Sequence, residues 1–177
     1  ATYVYINYGE SYEDPYKADW NPETGEFWLS ENGQPIDRID FVPRPEFFGK
    51  TTSRGTPMEA IADVRAQKMI LTAYQKCRLW EGGKQCHFCA FFTGSHTLEQ
   101  VNCEDVYETV REALKEPGRF SEIYLSGGTD FSGEPPFSEE IHRYIRVLQA
   151  IGRNFNGRFS SQLMAPAYKK QDLQYDW

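Results

Sequence analysis

The sequence predicts an α/β fold built on a parallel sheet, with a β-rich extension in front of it. Three observations carry that prediction. From residue 69 onward, short apolar runs suited to buried strands alternate with stretches of helical periodicity. Glycine and proline mark most of the joins. The two most unusual loops of the chain each follow directly on a predicted strand.

Residues 1–57 read as strands and turns. Asn32-Gly33, between short apolar runs, is a strong hairpin signal. Pro43, Pro45 and Pro57 interrupt the region, and aromatics are dense, among them Tyr3, Tyr5, Tyr8, Tyr12, Tyr16, Trp20, Phe27 and Trp28. Such aromatics either pack a small hairpin or form a lid over a substrate. Thr56 as N-cap with Pro57 behind it predicts a helix to about Lys68. Residues 69–74 predict a buried strand, 104–115 a helix closed by Pro117-Gly118, 123–125 a strand running into Gly127-Gly128, 138–153 a helix, and 158–164 a third strand stopped by Pro166. The order strand, helix, strand, helix, strand implies right-handed crossovers and a site beyond the carboxyl ends of the strands. The expected division is an extension over 1–57 and an α/β part over 58–177.

Composition narrows the function. With 177 residues, 40% hydrophobic and 15% aromatic, the chain has material for a core. A net charge of −7 argues against nucleic acid as the partner, and no apolar run of about 18 residues predicts a membrane span. The acidic N-terminus is unlike a signal peptide, so a cytoplasmic location is expected. Ala1 in place of Met, and an ending without a closing element, suggest a processed chain or a fragment.

Three of the four cysteines, Cys77, Cys86 and Cys89, fall in the loop after the first predicted strand. Clustered thiols away from a disulfide scaffold indicate metal or redox chemistry. A structural zinc site would need a fourth ligand from His87, His96 or Cys103, and His87 is awkwardly placed between two ligands. The pair Cys86-x-x-Cys89 alone would suit a redox dithiol. Three unpaired cysteines without metal would be the bland alternative. An iron–sulfur cluster on three thiolates would leave one iron open for a further ligand.

The strand, the three-cysteine loop ending in Cys-His-Phe-Cys, the helix, and the strand ending in Gly-Gly together resemble the radical S-adenosylmethionine (radical SAM) superfamily over residues 69–166. The resemblance implies a (βα) barrel of the TIM-barrel kind, here partial, since about three strand–helix units are present. It implies a [4Fe-4S] cluster on Cys77, Cys86 and Cys89. It implies S-adenosyl-L-methionine beside Phe88 and the turn Ser126-Gly127-Gly128-Thr129, whose backbone oxygens accept the ligand's amino group. Reductive cleavage of that ligand to a 5′-deoxyadenosyl radical would start chemistry on a small-molecule or peptide substrate, with flavodoxin or ferredoxin as electron donor. FCAFF, residues 88–92, is similar to the branches that build cofactors. Two departures stand out: eight residues separate Cys77 from Cys86 where three are usual, and Thr129 stands where an acid is usual. Trp80, Phe91 and Phe92 would dry the pocket or fill the core. Gln162 and Met164 would face the mouth of the sheet or fill it. Asp130 and Glu134 read as solvated loop acids, or as groups that bind polar parts of a ligand, His142 as a surface residue, and Cys103 as a small apolar packing residue. The alternative to the radical enzyme is a zinc-stabilised, non-enzymatic binding domain held by the same cysteines.

Overall fold

The computed structural model describes residues 16–87, 89, 98–157 and 159–163. The chain divides into two compact units, Ala1–Arg44 and Pro45–Trp177. Residues 45–57, read from sequence with the extension, belong to the second unit, and Phe47 is fully buried in its core.

The first unit is an antiparallel meander of β1 (Tyr16–Asn21), β2 (Glu26–Glu31) and β3 (Gln34–Ile39). Asn32 and Gly33 turn the β2–β3 hairpin with φ of 50° and 79°, the two positive angles that a two-residue type I′ turn demands. The β1–β2 turn is built on Asn21. Its carbonyl accepts from the Gly25 amide at 2.9 Å and its Oδ1 from Glu23 N at 2.9 Å. Trp20 lies across the ladder from Phe27, with ring centroids 4.7 Å apart, and Phe41 meets Phe27 edge-on at 4.7 Å.

The second unit is mixed α/β. Its sheet has the order β4-β5-β6-β7: β4 (Ala62–Arg65), β5 (Lys68–Thr72), β6 (Glu122–Ser126) and β7 (Ser161–Leu163). β4 pairs antiparallel with β5, whereas β5, β6 and β7 are parallel. The expected strand–helix alternation is therefore present through α2 (Cys103–Ala113) and α3 (Ser138–Gly152). Asn102 caps α2, its side chain accepting from the Glu104 amide at 2.9 Å. The helix expected up to Lys68 is a correction. Only a 3₁₀ turn, Met58–Ala60, forms, and the chain then runs into β4. Ala62 and Val64 point inward while Asp63 and Arg65 point out, a period of two that suits an edge strand beside β5 and overrides the helical start signal.

Met69 and Leu71 of β5 and Ile123 and Leu125 of β6 share one core with Val106, Val110 and Ala113 of α2 and Tyr144, Val147 and Ala150 of α3. The two helices pack on each other, so both crossovers lie on one face of the sheet. Ile70, Tyr124 and Gln162 stand in register on the opposite face. Strands in sequential order with helices on one side are the local geometry of a singly wound sheet. Among the described residues the sheet is open at β4 and β7.

A carboxylate row along α2 holds the entry segment. Asp105 accepts from Thr56 Oγ1 at 2.9 Å, Glu108 from the Ser53 amide at 2.7 Å, and Glu112 from Lys50 Nζ at 2.9 Å. Just past the helix, Glu116 accepts from the Glu46 amide at 2.6 Å. The spacing keeps the carboxylates on one face. Hydrogen bonds from the Ser53 hydroxyl and amide hold Glu108 below the usual glutamate range, and those from Lys115 and Lys50 do the same for Glu112. Lowered carboxyl pKa values mean that the attachment is complete above the ordinary value of 4.5 and is lost as pH falls below it. Hydrogen exchange of residues 46–56 should thus lose protection in acid before the β5–β6 pair does. Simultaneous loss at both places would show that the row does not anchor the segment.

Candidate metal centre

Two loops leave the sheet at the same end, after β5 and after β6, and the backbone joins them. Ala73 N donates to Ser126 O at 2.8 Å, Gly128 N to Tyr74 O at 2.8 Å, and Arg78 N to Thr129 O at 2.9 Å. The cysteine loop and the Gly-Gly turn are therefore one built unit. Gln75, only 4% exposed, secures its base: its Nε2 donates to Ala60 O at 2.8 Å and its Oε1 accepts from Leu98 N at 2.9 Å.

Cys77 is buried and sits at the N-cap of the short helix α1 (Arg78–Glu81), its carbonyl accepting from Trp80 N at 3.0 Å. Gly82 and Gly83 end that helix, and Gly83 takes the left-handed φ of 65°. Cys86 is exposed and Cys89 half-buried; the Cys89 amide donates to Cys86 O at 3.0 Å, so the two share one tight turn. None of the four cysteines is in a disulfide. Among the described residues, no three His, Cys, Asp or Glu side chains converge as a metal-holding group. The expected trio is thus on one loop but not gathered. Residues 81–87 are exposed, which leaves little packing to draw Cys86 and Cys89 toward Cys77.

Ser126 ends β6 half-buried, and its carbonyl is taken by Ala73. The Thr129 carbonyl is taken by Arg78. The carbonyls of Gly127 and Gly128 accept no hydrogen bond from a described residue. Gly128 has no room for a side chain, and Gly127 has little. A Cβ on Gly128 would stand 1.7 Å from Lys76 O and 2.7 Å from the Cys77 Cβ; one on Gly127 would stand 2.9 Å from the Tyr144 hydroxyl. Phe88 lies outside the described residues, as do Phe91, Phe92, His96 and Met164.

Behind the turn lies a charged network that sequence reasoning missed. Asp130 is 4% exposed, which corrects its reading as a solvated loop acid. Its Oδ2 accepts from Arg143 Nη2 at 2.8 Å, its Oδ1 from the Ser132 hydroxyl at 2.6 Å, and its own amide donates to Glu140 Oε2 at 2.5 Å. The Arg143 guanidinium also lies 4.3 Å from the centre of the Tyr74 ring, and its Nε donates to Gln100 at 3.3 Å. Burial pushes the Asp130 carboxyl up, but the Ser132 and Arg143 hydrogen bonds outweigh it, leaving the group below the ordinary aspartate value. Burial, with the neighbouring Glu140 charge, pushes the Tyr144 phenol well up, so it stays protonated beside Gly127. The one available clue was Arg143 on the helix face otherwise filled by Tyr144 and Val147; its partner, thirteen residues away, could not be read from spacing. Glu134 and His142 are exposed, and Gln162 is exposed on the face opposite α2 and α3.

No helix among the described residues is long and apolar enough to cross a membrane. Comparison with models of known protein families, with curated proteins and with solved structures returns no match to this chain.

Proposed function

We propose that the second unit is the N-terminal part of a radical SAM (βα) barrel. Cys77, Cys86 and Cys89 would hold a [4Fe-4S] cluster, and the Gly127 and Gly128 carbonyls would receive the amino group of S-adenosyl-L-methionine. The observation that carries this reading is the backbone junction of the two loops, with three free thiols on the adjoining loop. Soft thiolates without disulfide partners fit an iron–sulfur cluster. Sequential parallel strands with both helices on one face suit a barrel segment.

Bound together, the cluster and S-adenosyl-L-methionine supply one-electron cleavage of a carbon–sulfur bond and hydrogen abstraction from a substrate. The chain's own contribution is positional. Gly128 brings the turn against Lys76 and Cys77, where any side chain would separate the two loops. Asp130, locked by Arg143 and Ser132, fixes the exit of the turn. Tyr144 closes the turn from the helix side without adding charge. The substrate would be a small molecule or peptide, and the electron donor a flavodoxin or ferredoxin; a cytoplasmic setting suits both.

Anaerobic reconstitution with iron and sulfide tests the assignment. The expected product is brown and holds iron and sulfide in equal amounts. Cys77→Ala, Cys86→Ala and Cys89→Ala should each lose it, whereas Cys103→Ala, on α2, should keep it. A colourless protein with one zinc per chain, or iron content indifferent to Cys86, would replace this reading with the zinc-stabilised domain or with none.

A further inference from the structure

The three-stranded sheet of the first unit has two unlike faces, and its register fixes which side chain lies on which. Residues directly across an antiparallel ladder share a face, and successive residues alternate. Ala18 stands opposite Leu29, Trp20 opposite Phe27, and Phe27 opposite Ile39. These five form one apolar face, and Phe41 extends it through its edge-on contact with Phe27 at 4.7 Å. Trp20 is 53% exposed and Phe41 48%, so the face meets solvent.

Charge divides by face as well. Glu31 and Asp37, both exposed, pair with Tyr16 and Leu29 and therefore rim the apolar side. Lys17 and Arg38, the only bases of residues 16–39, pair with Ser30 and Trp28 and therefore lie on the other side. There Arg38 is bonded to Glu26 at 3.3 Å. The apolar face is thus rimmed by acids alone. The unit around it, residues 1–44, holds nine acidic and three basic side chains, a net −6.

We propose that this face receives an amphipathic helix of a partner protein, with an apolar stripe against Trp20, Phe27 and Phe41 and lysine or arginine along its flanks. Strands of six residues are about 20 Å long, the length of a helix of about 13 residues, and three strands about 4.8 Å apart match the width of one helix. The rim carboxylates select basic flanks, because opposite charge steers encounter and fixes register. A second copy of the same face would set Glu31 and Asp37 against further acids, and an anionic membrane would meet the same repulsion. Residues 1–15, with three acidic and no basic side chains, lack the complementary charge. The proposal does not depend on the cluster assigned to the second unit.

Nuclear magnetic resonance of the full chain, isotope-labelled on its indole nitrogens, tests it, because Trp20 and Trp28 report opposite faces. The probe is a capped leucine–lysine peptide of about 14 residues with helical periodicity. A leucine–glutamate counterpart and a scrambled leucine–lysine peptide are the controls. The periodic leucine–lysine peptide should shift Trp20 and leave Trp28 and Trp80 in place. The scrambled peptide should bind at least about tenfold more weakly, and the acidic one should not bind. Trp20→Ser should weaken the periodic peptide roughly tenfold by calorimetry, as for the loss of an aromatic anchor, whereas Leu114→Ser, at an exposed apolar site of the second unit, should leave it unchanged. Phe41→Ser stands in if Trp20→Ser fails to fold. Glu31→Gln with Asp37→Asn should weaken binding at low salt and flatten its salt dependence. Equal shifts at Trp28, equal affinity for the scrambled peptide, or affinity unchanged in both the aromatic and the acidic variants would overturn the proposal. So would dimerisation that Trp20→Ser abolishes, or a Trp20 shift on phosphatidylserine vesicles.

Discussion

Gly128→Ala is expected to separate the two loops and to destabilise the protein by about 3 kcal/mol or more, the upper range for overpacking a filled site. The added methyl would sit 1.7 Å from a backbone oxygen, Lys76 O, with Cys77 Cβ at 2.7 Å, so no side-chain rotation relieves it. The contacts that hold the junction, Gly128 N to Tyr74 O and Arg78 N to Thr129 O, would have to lengthen together. At roughly 2–4 °C per kcal/mol for a chain of this size, the thermal midpoint should fall by about 6–12 °C. Gly82→Ala is the matched control. It lies on the same loop with φ −85°, and its nearest foreign atom would be the Arg78 carbonyl at 3.4 Å. It should melt within about 2 °C of the parent, the usual surface range. If the two variants melt alike, the junction is not the tight contact described above.

Arg143→Met should be the most damaging exchange of a charged residue, costing about 3–5 kcal/mol at neutral pH, the usual penalty for stranding one member of a buried pair. Asp130 would remain 4% exposed with its principal cation gone, since Arg78 Nε is 3.9 Å away and its own side chain is 47% exposed. The pH dependence has a definite sign. In the parent, Asp130 titrates below its ordinary 3.8, so its stabilisation is present above that value and is lost as pH falls through the lower folded value. Without Arg143, burial is opposed only by the Ser132 hydrogen bonds, so the Asp130 carboxyl rises relative to the parent. The variant then recovers relative stability as pH falls and Asp130 takes a proton. Urea denaturation at neutral pH and near pH 4.5 checks this: the difference between variant and parent should shrink in acid. A constant difference would mean that Arg143 acts through its packing on Tyr74 and not through charge.

Much of the second unit was legible in the chain. The alternation of β5, α2, β6, α3 and β7 follows from period-two and period-3.6 patterns and from Pro117 and Gly118 at a helix end. The hairpin at Asn32-Gly33 was equally plain, because few residue pairs accept two positive φ angles. β4 was misread because Thr56-Pro57 is a strong local helix start, and only the neighbouring edge of β5 makes an extended Ala62–Arg65 the better solution. Asp130 was misread because a carboxylate in a Gly-rich loop is normally wet. Its burial depends on Arg143 one helix later.

What the sequence alone determined is local: which segments become strands and helices, where the chain must turn, and that three sulfurs share one loop. These follow from backbone sterics and periodicity over a few residues. Tertiary structure alone decided that the Gly-Gly turn lies against Lys76 and Cys77, that Gln75 anchors the loop, and that Arg143 neutralises Asp130. Each of these contacts pairs groups far apart along the chain, and their partners are set by the stacking of β5 on β6 and of α2 on α3, where burial makes an unpaired polar group too unfavourable to keep.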